Sequence, residues 1–204
     1  RLESTVRKIL VAKYHAGLKN PINFPGVMPE ELTARSLAVR RAIDGTAVTV
    51  MANRKNALPI KQLDNRKFYL VNTGTDQSVL EKSLAYYVPF ENLQLRTVAD
   101  TSVLKVLNKE DVVIFPFTDH SNLPINQLSS WLTDLDKKTN VVILHAGNPY
   151  NLRGLPEFSS LIEGYYPEDA DEIMPQIIFG AVKSYGKLPV HVLPYNGQEV
   201  ETES

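Results

Sequence analysis

The sequence predicts an α/β protein, a three-layer α/β/α sandwich built on a mainly parallel sheet. Three observations lead there. Residues 111–117 and 141–144 are short apolar runs, as expected of buried strands, and residues 67–72 read as a further strand. Segments with apolar residues at helical spacing lie between and after them, at 77–87, 127–135 and 169–181. Strands that alternate with helices pair in parallel through right-handed crossovers, which places helices on both faces of one sheet.

Residues 2–18 form the first helix, with Leu2, Val6, Ile9, Leu10 and Tyr14 on one side and Gly17 as its stop. His15 on this helix reads as a surface or interdomain residue. Residues 20–29 hold three prolines and Gly26, the composition of a linker. Pro29 followed by Glu30 and Glu31 suits a helix start, and Leu32, Val39, Ala42 and Ile43 mark its apolar side to about Asp44. A β-branched run at 46–51 predicts a strand. Residues 93–98 predict another, and 103–107 a short helix. Towards the end, Phe158 opens a run that Leu161 and Ile162 close before Gly164. Asp169 and Asp171 offer helix caps, Pro175 falls near the first turn, and 188–193 is extended again. The expected organisation is 1–28 as one helix plus linker, 29–194 as the sandwich, and 195–204 as a polar, acidic tail.

Composition narrows the function classes. With 43% hydrophobic and 22% charged residues the chain is an ordinary globular one, and Lys plus Arg (22) nearly balance Asp plus Glu (23). No global field therefore argues for nucleic acid or a charged membrane surface. No apolar run approaches the roughly 20 residues of a membrane span. Without Cys there are no disulfides or thiolate metal sites, and the four His lie scattered, with no H-E-x-x-H spacing, so no metal or cofactor is expected. The lone Gly74 after the strand at 67–72 lacks the further glycines and Lys of a phosphate-binding turn.

Four stretches carry a resemblance. They are VRKILVAKYHAGL at 6–18, Val50 and Asn53 with Leu58-Pro59-Ile60, GNPYNL at 147–152, and Phe179-Gly180 followed by Gly186-Lys187-Leu188-Pro189-Val190. In that order they resemble the end of the catalytic barrel and the C-terminal domain of glycoside hydrolase family 3. The GNPY loop is similar to that of the β-N-acetylglucosaminidase branch. Met51-Ala52 before Asn53 and the Arg54-Lys55 pair after it depart from the family's pattern. The resemblance implies a retaining glycosidase acting on β-linked N-acetylglucosamine, with residues 2–18 as the last barrel helix and the missing N-terminal barrel as the partner of this chain. It carries over no catalytic residue, because the nucleophilic Asp and the Asp–His pair of that branch lie on the barrel. In the β-glucosidase branch the acid is a Glu on a loop of the second domain. The loop after residue 117 reads Thr118-Asp119-His120-Ser121-Asn122, without Glu, which favours the other branch.

Five residues are candidates for contact with carbohydrate. Arg54 reads first as part of a structural turn, with reach towards a sugar as the alternative that the family supplies. Asp119 and His120 combine a carboxylate with an imidazole, although adjacent loop residues seldom place the two in catalytic geometry. Asn148 begins a turn and Tyr150 can pack while its hydroxyl stays wet, so the pair serves either as a turn or as a sugar-facing loop. His145, at the end of a buried strand, reads as a core or rim histidine. A non-catalytic module that binds carbohydrate or packs on a partner domain is the other function class open to this sequence.

Overall fold

The computed structural model describes residues 2–19, 30–72, 74–95, 107–121, 125–192 and 194–195. The expected linker at 20–29, most of the helix at 103–107, the end of the strand at 93–98 and nearly all of the tail lie outside them. The chain divides into two compact units, Arg1–Ala38 and Val39–Ser204.

The first unit contains α1 (Leu2–His15) and the start of α2 (Glu30–Ala47). Gly17, at φ 74°, ends α1 by sending the Leu18 N–H back to the Lys13 carbonyl, a geometry a side chain would strain. The apolar side chains Leu2, Val6, Ile9, Leu10 and Tyr14 are all exposed, and α1 buries no residue.

The second unit is a six-stranded sheet in the order β1-β6-β5-β4-β2-β3. Its strands are β1 (Thr49–Asn53), β2 (Phe68–Asn72), β3 (Glu91–Gln94), β4 (Val112–Thr118), β5 (Asn140–Ala146) and β6 (Ser160–Glu163). All pairings are parallel except that of β1 with β6. Because side chains alternate along β4, its two faces feed two cores. Val113, Phe115 and Phe117 pack with Leu128, Trp131, Leu132 and Leu135 of α4 (Ile125–Lys138). Val112 and Ile114 pack with Leu80 and Leu84 of α3 (Ser78–Ala85) and with Ala170, Met174 and Ile177 of α5 (Pro167–Ile178). The result is the expected α/β/α sandwich.

Three local expectations are corrected. The extended segment at 188–193 forms no strand among the described residues: Leu188, Val190 and Val192 cover the α4-side core as an irregular segment instead. Helix α5 starts at Pro167 rather than at a cap supplied by Asp169 or Asp171, so Pro175 falls inside it and not in its first turn. There the helix has only one more turn to run, so few of its hydrogen bonds are affected. Asp169 instead faces Arg40, whose Nε lies 2.8 Å from its carboxylate. The strand expected at 46–51 begins at Thr49, because α2 continues to Ala47.

Strand order and Pro116 shape the carboxyl end of the sheet. The pairing of β2 with β4 stops at Leu70 and Ile114, although both strands run on. Pro116 has no N–H to donate to a neighbour, and beyond it the two strands part. The chain reverses direction across the sheet at this same place, which is where open parallel sheets place ligands.

Candidate functional site

The polar side chains that converge on the carboxyl edge come from three consecutive parallel strands. Asp119 follows β4, His145 is the penultimate residue of β5, and Glu163 is the last of β6, directly opposite His145 in register. Both His145 and Glu163 are fully buried. His145 Nδ1 lies 2.5 Å from Glu163 Oε2, and His145 Nε2 lies 3.4 Å from Asp119 Oδ1. The ring of Phe117 packs on the imidazole at 4.5 Å between centroids. The other Glu163 oxygen accepts the Tyr165 N–H at 2.8 Å.

Asp119 joins this buried pair to the loop after β5. Its Oδ2 accepts the Asn148 N–H at 2.8 Å, and its Oδ1 accepts Asn151 Nδ2 at 2.6 Å. Gly147 makes room for that grip, because a Cβ built there would stand 2.4 Å from Asp119 Oδ1. Burial pushes the Asp119 carboxyl up. The donors Asn148 and Asn151 and the facing His145 together outweigh it, so the group sits below the ordinary carboxylate range. Asn148 caps the short 3-10 turn Pro149–Leu152 by accepting the Tyr150 N–H, and the turn leaves Tyr150 half exposed. The Asn-Pro-Tyr-Asn sequence suits this turn: Asn148 accepts the early N–H and Pro149 has its φ pre-set.

Behind the pair stands Tyr165, whose backbone is left-handed at φ 57°, unusual for a bulky residue. Its hydroxyl lies 3.0 Å from Thr49 Oγ1. Burial pushes that phenol up, and the Glu163 charge adds to the effect while the Thr49 hydrogen bond opposes it. Gly164 fits beneath, where a Cβ would meet the Ala170 side chain at 2.4 Å.

Of the five residues expected to meet carbohydrate, the structure brings three together: Asp119, Asn148 and Tyr150. His120 is exposed, and its backbone N–H bonds the Thr118 hydroxyl. Arg54 lies at the other end of the sheet, because β1 runs antiparallel; there it pairs with Glu157. The residues that sequence reasoning passed over are Glu163, Asn151 and the double partnership of His145. The signal was present, since His145 and Glu163 each stand near the end of an apolar run that becomes a buried strand. Among the described residues no group of three or more His, Asp or Glu side chains is placed to hold a metal ion, and no helix is long and apolar enough to cross a membrane.

No family model matches the sequence, and no curated protein sequence matches it. Solved structures do. A fungal multi-domain family 3 β-N-acetylglucosaminidase, described for its GCN5-related glucosamine N-acetyltransferase region, aligns with a TM-score of 0.66 at 19% identity. The match covers 82% of this chain and 20% of that one. A family 3 β-N-acetylglucosaminidase from Paenibacillus sp. str. FPU-7 aligns with a TM-score of 0.58 at 14% identity, over 92% of this chain and 38% of that one. The chain shares its fold with glycoside hydrolase family 3 enzymes. A family 3 exo-β-xylosidase gives a TM-score of 0.53 at 14% identity, over 77% of this chain and 25% of its own, so the fold is not confined to one substrate branch. The chain thus spans from a fifth to under two-fifths of the family 3 chains it matches.

Proposed function

We propose that this chain is the C-terminal sandwich domain of a family 3 glycosidase that hydrolyses β-linked N-acetylglucosaminides, with the catalytic carboxylates on a barrel outside this sequence. The observation that carries the reading is the coverage. The fold accounts for 82% and 92% of this chain in two β-N-acetylglucosaminidases while filling only 20% and 38% of theirs. The exposed apolar side of α1 supports it, because a helix that buries none of its apolar residues within its own unit is suited to cover by another layer. On this reading residues 2–18 are the last barrel helix, 29–194 the sandwich domain, and the carboxyl edge one rim of the sugar site. Tyr150 offers an aromatic face to the C–H side of a pyranose, and Asp119 an anchored acceptor for a sugar hydroxyl.

Two measurements test it. The chain alone is expected to give no turnover of an aryl β-N-acetylglucosaminide; turnover abolished by His120→Ala would place the chemistry in this domain and overturn the reading. In a titration with N-acetylglucosamine, backbone amide signals of Asn148, Tyr150 and Asn151 are expected to move, and Tyr150→Ala to remove the response. Signals that stay fixed at millimolar sugar would overturn the rim assignment.

A further inference from the structure

We infer that His145 and Glu163 are positioning residues: a buried imidazolium clamped between two carboxylates, which fixes Asp119 and through it the loop 147–151. The consequence for sugar binding rests on the rim assignment above; the clamp itself does not.

Ionised carboxylates only accept hydrogen bonds, and a neutral imidazole donates from one nitrogen alone. Here both ring nitrogens face carboxylate oxygens, Nδ1 at 2.5 Å and Nε2 at 3.4 Å. With both carboxyl groups ionised, both contacts are hydrogen bonds only if both nitrogens carry protons; a protonated Glu163 donating to a bare Nδ1 is the competing arrangement that the test below separates. A neutral ring would aim a lone pair at one carboxylate in a site where His145 and Glu163 are shut off from water. The facing groups agree. Asp119 approaches from the β4 loop, Glu163 from β6 and the Phe117 ring from β4, so the two charged groups in contact with the ring are both carboxylates.

Every carboxylate oxygen then has a donor. Glu163 Oε2 takes His145 Nδ1 and its Oε1 takes the Tyr165 N–H. Asp119 Oδ1 takes Asn151 Nδ2 and His145 Nε2, and its Oδ2 takes the Asn148 N–H. The left-handed backbone of Tyr165 fits the same scheme, since it aims that N–H at Glu163. The clamp leaves the Asp119 side chain 29% exposed with one orientation, an acceptor fixed before a ligand arrives.

Nitrogen-15 imidazole spectra of the whole chain test this without any substitution. At neutral pH both His145 nitrogens are expected to be protonated, with an unusually deshielded proton on Nδ1. One protonated and one bare nitrogen would overturn the proposal. In Glu163→Gln one of the two N–H signals is expected to vanish, and the Asn148 amide to exchange at least tenfold faster; retention of both N–H signals would equally overturn it. N-acetylglucosamine added to the unsubstituted chain separates the two readings. An imidazolium with unmoved loop signals would uphold the clamp and sink the rim, and a neutral ring with moved signals would do the reverse.

Discussion

The two ends of the sheet both carry ion pairs between consecutive layers of chain, and they differ in the water around them. At the carboxyl end Glu163 and His145 are sealed in and Asp119 is partly covered. At the other end Arg54 pairs with Glu157 and Lys55 with Asp136, with side chains between 13% and 48% exposed. Charge attraction in water is worth little, whereas a charge stranded in the interior is costly, so similar pairs at the two ends carry unequal consequences. The exposed pairs tie down a turn. The buried set dictates what may stand next to it, including a glycine at 147 and a left-handed residue at 165.

The sharpest way to break this contrast is to remove one buried partner. Glu163→Ala leaves His145 without its short contact and is expected to destabilise the chain by about 3–5 kcal/mol in chemical denaturation. A loss below about 1 kcal/mol would mean that the carboxyl end is no more demanding than the other. Next comes Gly147→Ala. Its Cβ would collide with the Asp119 carboxylate, at a cost of roughly 1–3 kcal/mol. In an Asp119→Ala background the obstacle is gone, so most of that cost should disappear. A double-mutant cycle with no coupling would show that the glycine answers to something other than Asp119.

A third test uses pH. Asp171 on α5 is pushed up to about 6 by burial, with the Asp76 charge adding to it. Its folded value then exceeds the unfolded one, so between about pH 4 and 6 the folded state holds the proton more tightly. Stability from this group is greatest below that window, falls as pH rises through it, and is flat above. Asp171→Asn should remove the slope and raise stability at neutral pH by roughly 1 kcal/mol, a figure reduced for the partial access of water. A slope that survives the substitution would assign it to another group.

The sheet was legible because its evidence is local: Val113, Phe115, Val142 and Ile143 stand in runs that only a strand covered on both faces explains. The α/β alternation followed, and with it the parallel core. The antiparallel β1 was not legible, since no residue within 49–53 records which neighbour it will join. The site was legible by halves. Asp119, Asn148 and Tyr150 advertise themselves as polar or turn residues on loops. His145 and Glu163 are far apart in sequence, and register alone makes them opposite one another. Asp119 and His120 stand together in the turn after β4, and the imidazole that Asp119 meets is that of His145 from the next strand. The Asn53 motif shows the converse. Its Nδ2 donates to the Leu58 carbonyl at 2.8 Å and its Oδ1 accepts the Leu58 N–H at 3.0 Å, so the pattern from Asn53 to Leu58 is accounted for by the turn it closes.

The smallest expected effect belongs to that turn. Arg54→Ala removes an exposed pair with Glu157, and Asn53 still clasps Leu58 when it is gone. The loss should be about 0–1 kcal/mol, shrinking further at high salt because both partners are open to screening. If instead it approached the cost of Glu163→Ala, burial would not be what separates the two ends. The distinction would then have to lie in Asp136, which takes the Ser159 hydroxyl at 2.7 Å and its N–H at 3.1 Å, and also meets Lys55. Asp136→Asn tests that alternative directly. It keeps an acceptor for Ser159 while removing the charge that Lys55 meets, so a small loss there would return the weight of the argument to burial.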